Sequence, residues 1–279
     1  MAVRDARLPI GPPVPDPPAD GRGARWLFFG AGVLLFAICA AATFAHGASV
    51  AAMPMVDDPT MSVARLQVPG GSGWAAVASF TGMWLVMMVA MMLPSLLPSL
   101  WRYREALHRF DGARPQRWIM LMGLAYFAVW VLFGLATYPV VALATVAGSG
   151  LPVLARSAPL VVGTVVALAG FLQFSRWKAR HLAYCRAAPG QHPDPLPDGA
   201  ASAWRAGWRL GRHCVCACAG LTASLLALGC MDLRAMAAVT GAITVERLAP
   251  GGQAGRRVVG ALAIAAGTWL ITRALGGGA

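Results

Sequence analysis

Long stretches without a charged residue constrain this chain more than any other feature. Residues 26–45 form an uncharged run of twenty residues, and residues 74–100 form a second, longer run. An α-helix rises about 1.5 Å per residue, so about 20 apolar residues cross the hydrocarbon core of a bilayer. Hydrophobic residues make up 58% of the chain and charged residues only 12%, about half the charge of a soluble domain. The sequence therefore excludes a soluble enzyme, a disordered chain and a soluble nucleic-acid-binding protein, and predicts an all-α bundle of transmembrane helices.

The remaining apolar runs predict seven spans in total. One segment is short, because only eleven residues separate Arg234 from Glu246. It either crosses with its flanking charges at the interfaces or re-enters the membrane, which leaves six spans as the alternative. The third span begins at Trp118 and is expected to end near Tyr138 and Pro139 or a few residues later. The later spans are expected at residues 160–174, 214–231, 233–245 and 258–272.

The placement of basic residues predicts the orientation. The net charge is +12, but Lys and Arg lie in short clusters between the apolar runs rather than in one patch with interleaved aromatic residues. With seven spans and a cytoplasmic N-terminus, nineteen Lys and Arg lie inside and four outside; without a crossing at 233–245 the split is 17 to 6. The positive-inside rule thus favours seven spans in a cytoplasmic (inner) membrane. The four outer residues are Arg65, Arg156, Arg234 and Arg273.

The sequence predicts one domain with a tail at each end. Residues 1–25 are rich in Pro, Gly and Arg and predict a disordered cytoplasmic tail. Residues 26–274 predict a single transmembrane domain with a cytoplasmic loop at 175–212, and residues 275–279 a short Gly-rich tail. The first apolar run exceeds the 7–15 residues of a signal-peptide core, so an uncleaved anchor is expected. The sequence has no internal repeat of the kind that inverted-repeat transporters carry.

Three of the six cysteines alternate in the string HCVCAC, which begins at His213. On a helix Cys214 and Cys218 share one face, and Cys216 lies about 200° from Cys214; in an extended segment all three share a face. A cysteine is also a small buried hydrophobic residue. That interpretation suits the isolated Cys39 and Cys230 better than three alternating cysteines beside a histidine.

A second pair of candidate ligands, His181 and Cys185, lies on the same side of the membrane. Their spacing of four places both side chains on one helix face if the fourth span continues into the cytoplasm; otherwise they are unrelated interfacial residues. With Cys214 and Cys218 they would form a Cys3His set suited to tetrahedral zinc. Cu(I), a softer ion, would take two or three of the thiolates. Reduced thiols in the cytoplasm favour metal over a disulfide.

Two further features bear on metal handling. Methionines recur at helical spacing in the second span, either as packing or as a thioether path for a soft ion, and Pro94 and Pro98 are expected to bend or end that helix. Glu246 is the carboxylate closest to the interior of a span, and it either pairs with Arg247 or another arginine or ligates metal. Gln173 and Asp232 are the other polar groups near membrane depth. The methionine stripes are Met83, Met87 and Met91, and Met88 and Met92.

Several strings occur in the order seen in a bacterial family that they resemble, described as predicted metal-binding integral membrane proteins of unknown function. They are WLVMMVAMMLPSLLP, GLAYFAVW, LQFSRWKARHLAYCR, the cluster from Gly211 to Cys218, LGCMDLRAM and TVERLAP, and they cover roughly residues 74–274. The family usually has Cys at the position of His181, and its cluster reads as Cys, two residues, then adjacent Cys-Cys. The resemblance therefore implies ligand roles for Cys185, Cys214 and Cys218 but not for Cys216.

These patterns predict an integral membrane protein that holds or passes Cu(I) or Zn(II) at an inner-face site. The alternatives are a metal transporter that uses the Met-lined second span, a thiol oxidoreductase, which the lack of a CxxC motif disfavours, and a purely structural scaffold. No triad, phosphate loop or dinucleotide motif predicts an enzyme. The expected partners are the lipid bilayer and a membrane metalloenzyme or metal chaperone, with no nucleic acid. The candidate ligands are Cys185, Cys214, Cys218, His181, Cys216 and His213, and more weakly Met87, Met91, Met92 and Glu246.

Overall fold

The fold is helical throughout the part of the chain that a computed structural model describes: residues 20–51, 73–110, 115–150, 152–187, 199–229, 232–249 and 253–276. Within these residues there are eight helices and no strand, which confirms the predicted all-α class. The helices are α1 (Asp20–Ala51), α2 (Gly73–Phe110), α3 (Pro115–Gly150), α4 (Pro152–Leu172), α5 (Arg176–Arg186), α6 (Ala200–Leu228), α7 (Leu233–Leu248) and α8 (Gln253–Gly276).

Five of these helices, α1, α2, α3, α6 and α8, are long and apolar enough to cross a membrane, and α4 with α5 makes a sixth if the bent pair is one span. Large apolar side chains face outward on several of them; Trp26 is 79% exposed and Leu262 is 65% exposed. An apolar exterior of this extent is compatible with a lipid environment. Helix α7 has only 16 residues, so its crossing, and with it the seven-span topology, stays a prediction.

The predicted fourth span does not continue as one straight helix. The chain turns at Gln173 and Phe174, and α5 then leaves at 67° to α4. Ser175 caps the new helix, since its hydroxyl accepts a hydrogen bond from the Lys178 backbone N–H at 3.1 Å. His181 and Cys185 therefore lie on a separate, tilted helix whose buried residues are Lys178, Leu182 and Cys185.

Several predicted boundaries are wrong because helices extend into stretches that were expected to be loops. Helix α2 passes through Pro94 and Pro98 and ends only at Phe110. The part of α3 that could span a membrane ends at Leu143, within the predicted range, although the helix itself continues to Gly150. Prolines are tolerated inside membrane helices where neighbouring groups satisfy the freed carbonyls. Helix α1 begins at Asp20, inside the predicted disordered tail. The predicted loop 175–212 contains all of α5 and the first half of α6.

The first half of α6 folds as a helix because its small and apolar residues follow helical spacing. Ala203, Gly207 and Leu210 are all buried, and they lie at i, i+4 and i+7. A Cβ atom at Gly207 would collide with the backbone of Met122 on α3, and one at Gly211 would lie 3.0 Å from the Tyr126 carbonyl oxygen. These two glycines therefore let α6 pack directly on the backbone of α3, as small residues do between membrane helices.

Candidate metal centre

Three thiols converge where α5 meets α6. Cys214 and Cys218 lie one turn apart on the buried face of α6, and their sulfur atoms are 3.9 Å apart. Cys185 on α5 lies close to Cys214. All three are buried; Cys214 has no exposed surface, and the other two are each 3% exposed. The three cysteines that the resemblance singled out are thus the three that the fold brings together.

The spacing of these sulfurs suits coordination of a soft metal ion by two cysteines better than coordination by a complete set of ligands. Tetrahedral thiolate coordination at about 2.3 Å separates two sulfurs by about 3.8 Å, close to the 3.9 Å between Cys214 and Cys218. Within the described residues, no group of three or more His, Cys, Asp or Glu side chains is placed so as to hold one ion. The pair from α6 is therefore the best-formed element of the candidate site.

The sulfur of Cys214 is surrounded by donors. The Tyr126 hydroxyl donates to it at 2.9 Å, and Nη1 of Arg247 lies 3.5 Å from it. The same Nη1 donates to Ser95 Oγ at 3.1 Å and contacts the Tyr126 hydroxyl at 3.4 Å. A positive charge and a hydroxyl donor both favour the thiolate form of a cysteine, which is the form that binds metal.

Arg247 is a buried charge without a carboxylate partner. It is 6% exposed, its Nε and Nη2 have no hydrogen-bond partner, and no described carboxylate forms a salt bridge with it. Sequence reasoning considered Arg247 as a charge flanking a short span and as a partner for Glu246, and it missed Tyr126 entirely. Arg247 lies in the string TVERLAP and Tyr126 in the string GLAYFAVW, both of which belong to the family resemblance. Nothing in these strings indicates that the two segments meet.

The two histidines form a separate pair. Nδ1 of His181 lies 2.9 Å from Nδ1 of His213, so one nitrogen donates and the other accepts. Aromatic rings flank the pair: Tyr184 stacks on His213 with ring centroids 3.8 Å apart, and Trp177 contacts His181 edge-on. Among the described residues the predicted combination of His181 with the three thiols is thus not assembled, and His181 pairs with His213 instead.

The other candidate ligands lie around this centre. Cys216 is half-buried on a different face of α6 and lines a small void with Gln173 and Lys178, as the helical alternative predicts. Met87, Met91 and Met92 are each at most 2% exposed and belong to the same core cluster as the three buried cysteines. Whether any of these residues ligates metal stays a prediction.

Glu246 pairs with a residue that sequence reasoning did not consider. Its Oε2 lies 2.7 Å from Nζ of Lys178, and the two side chains are 2% and 5% exposed. The expected partner, Arg247 or another loop arginine, is therefore wrong: Lys178 on α5 is the partner. This ion pair ties α7 to α5 beside the thiols, and it leaves Arg247 free to face Cys214.

Comparison with known proteins identifies the family. The model of the PpoB2 family, described as "Copper chaperone", matches residues 81–270, which is more than half of the chain and includes all three converging thiols. No curated protein and no solved structure matches the chain significantly. The match supports a metal-related family, as the sequence suggested, and the family description names copper as the metal. The chain belongs to the PpoB2 family of copper chaperones.

Proposed function

We propose that this chain is a membrane-embedded copper chaperone that holds Cu(I) between Cys214 and Cys218, with Cys185 available as a third sulfur. The observation that carries the proposal is the convergence of these buried thiols beside Arg247, with the Tyr126 hydroxyl on the Cys214 sulfur. Soft thiolates select Cu(I) among the common ions, and the cytoplasmic side keeps them reduced. The family description points to the same metal.

Charge balance favours Cu(I) at the pair of thiols from α6. Cu(I) with two thiolates carries a single negative charge, which one guanidinium neutralises, and Arg247 supplies it next to Cys214. Zn(II) with the same two thiolates would be neutral and would leave the buried Arg247 uncompensated, at a cost in desolvation. Zinc would also need further ligands to complete its tetrahedral set.

The apolar exterior supports insertion in a bilayer, and the distribution of basic residues supports the bacterial inner membrane with the thiols towards the cytoplasm. In that position the protein would receive copper from the cytoplasmic pool and pass it to a membrane metalloenzyme or to another metal chaperone.

A second candidate function is transport of copper through the bundle. Met88, Met91 and Met92 are buried in the same cluster as the thiols, so thioethers continue from the site along α2. Thioethers are soft ligands, although methionine is also a common packing residue. Uptake of copper into vesicles containing the purified protein separates transport from holding.

The central experiment is elemental analysis of protein purified without chelator under reducing conditions. We expect equimolar copper and no zinc in the wild type, and no copper in a Cys214→Ser/Cys218→Ser double variant. Cys39→Ser is the matched control, since Cys39 is a buried cysteine on α1 outside the cluster. Cys216→Ser should also retain copper. Full retention of copper in the folded double variant would overturn the site and the proposed function.

A further inference from the structure

A cavity of about 470 Å³ lies beside the thiols and is unusually basic. Its lining includes Arg25 of α1, Arg102 of α2, Arg186 of α5 and Arg247 of α7, together with the rings of Phe29 and Trp101, and none of the described residues that line it is acidic. Its volume falls in the range of about 300–1,000 Å³ that small-molecule sites occupy. Four guanidiniums around one space repel each other unless an anion lies between them.

None of the four arginines forms a salt bridge with a carboxylate in the described part of the chain. Arg102 donates instead to the Pro98 carbonyl, the Arg186 carbonyl and Ser99 Oγ, each at 3.3 Å. Arg186 donates to the Ala249 carbonyl. These bonds to neutral acceptors hold the guanidiniums in place around the cavity without neutralising them.

Arg247 connects the cavity to the candidate metal centre. It lines the cavity, yet its Nη1 lies 3.5 Å from the Cys214 sulfur. Its Nε and Nη2 are buried and have no hydrogen-bond partner. Buried charged donors without acceptors are rare in folded proteins and call for an explanation, and an anion in the cavity would supply the missing acceptor.

We propose that this cavity binds the anionic complex that delivers Cu(I), a small thiol that bears carboxylates and holds the ion as a bis-thiolate. The proposal rests on the copper function argued above. Both the metal centre of such a complex and its carboxylates are negative, which matches the four arginines. Carboxylates also pair with guanidiniums in bidentate fashion. The anion would thus be bound next to the thiols that receive the metal.

The transfer itself is a ligand exchange that needs no oxidant or reductant. Two Cu–S bonds to the incoming thiolates break as two Cu–S bonds to Cys214 and Cys218 form. The two cysteine protons pass to the two departing thiolates, which leave as thiols. Copper remains Cu(I) throughout, and the copper bis-thiolate centre carries one negative charge before and after the exchange.

The test compares two copper donors on the full-length protein in nanodiscs of zwitterionic lipid. The anionic donor is Cu(I) complexed by glutathione, and the cationic donor is the Cu(I)–acetonitrile complex. Arg25 is the residue to change, because it is exposed and its guanidinium lies over the Phe29 ring, 5.9 Å from the ring centroid. Arg22→Gln is the matched control, since Arg22 is exposed on the same helix and does not line the cavity.

We expect Arg25→Gln to slow copper transfer from the glutathione complex about three- to tenfold at low salt. Arg25→Gln should leave transfer from the acetonitrile complex and the equilibrium copper affinity unchanged, and Arg25→Lys should restore the rate. Equal rates for Arg25→Gln and Arg22→Gln with the glutathione donor would overturn the proposal. If the rates are equal and an anionic phospholipid co-purifies with the wild type but not with Arg25→Gln, the cavity binds a lipid headgroup instead, and the proposal is likewise overturned. Failure of the wild type to take copper from either donor would instead refute the proposed function, and this inference with it.

Discussion

At the scale of single residues, Arg247 is the clearest sign that this core is built for more than stability. A guanidinium that is 6% exposed and has no carboxylate partner in the described part of the chain is expensive to bury. Its contacts are with the Cys214 sulfur, the Tyr126 hydroxyl and Ser95 Oγ. A negative thiolate, or a negative copper–thiolate centre, would turn this unfavourable charge into a favourable pair.

This reasoning predicts opposite effects of one substitution on stability and on copper binding. Arg247→Met should leave the copper-free protein as stable as the wild type or more so, because an unpaired buried charge is removed. The same change should lower Cu(I) affinity at least about tenfold, as loss of groups that support metal ligands typically does. Thermal unfolding in detergent and competition with a Cu(I) chelator measure the two effects.

Arg247→Lys is the control for the role of charge, and it should retain most of the copper affinity. A structural role for Arg247 would show itself differently: Arg247→Met would then destabilise the copper-free protein, and Arg247→Lys would destabilise it too because the lysine ammonium cannot reproduce the three contacts of Nη1.

The ion pair of Lys178 with Glu246 leads to the converse prediction. Glu246→Gln leaves the Lys178 ammonium buried without its partner, and such changes cost about 3–5 kcal/mol. We expect a large loss of stability with bound copper per folded protein unchanged. The double variant Lys178→Met/Glu246→Leu should recover much of the stability, since it removes both charges together. Loss of stoichiometric copper in folded Glu246→Gln protein would instead make Glu246 a ligand or a support of one.

How much of the site the sequence predicts depends on the distance between partners along the chain. The pair of Cys214 and Cys218 follows from helical spacing alone. Tyr126 and Arg247 lie 88 and 33 residues from Cys214, and no local pattern indicates that they meet there. The charge of Arg247 is also ambiguous in sequence, because an arginine at a span boundary normally extends to the interface.

At the scale of helices, the position of α6 against α3 determines where Cys214 lies. Gly207 and Gly211 allow the two backbones to approach, and Cys214 follows Gly211 by one turn on the same buried face. At Gly207 the contact leaves no room for a side chain, because a Cβ atom there would collide with the Met122 backbone rather than with a movable side chain.

Gly207→Ala should therefore push α6 away from α3 and weaken the Tyr126–Cys214 hydrogen bond. Overpacking of this kind typically costs about 1–3 kcal/mol, and we expect copper affinity to fall with stability. Gly220→Ala is the matched control on the same helix, since its nearest neighbour, on Ala169, would lie at an ordinary 3.5 Å. Unfolding and chelator competition on both variants test this, and equal behaviour of the two would contradict it.

The bend between α4 and α5 shows why helix boundaries were the weakest sequence predictions. The apolar run ends at Phe174, so the end of the membrane segment was predictable, but the tilt of the following helix depends on packing against α6. Ser175 was a readable N-cap signal. The 67° turn between α4 and α5 and the pairing of His181 with His213 were not.

At the scale of the whole molecule, the packing of α8 on α4 determines at which end of the bundle α8 ends. Gly260 lies against Gln173 and Phe174, and Gly267 lies against Ala167 and the Gly163 carbonyl, so the two helices run antiparallel. Arg256 donates to the Ser175 carbonyl at 2.9 Å, near the start of α8. The end of α8 therefore lies at the opposite end of the bundle from the bend and from the basic cavity.

This arrangement and the charge distribution make the same topological prediction. Four arginines gather at the cavity, on the side that the positive-inside rule assigns to the cytoplasm. A reporter fused after residue 190 should thus be cytoplasmic, and one fused after residue 279 periplasmic. Alkaline phosphatase and green fluorescent protein fusions at both points provide the measurement, because each is active or fluorescent on only one side. A cytoplasmic C-terminus would mean that α7 re-enters instead of crossing, and a periplasmic residue 190 would place the thiols in an oxidising compartment and refute delivery from the cytoplasm.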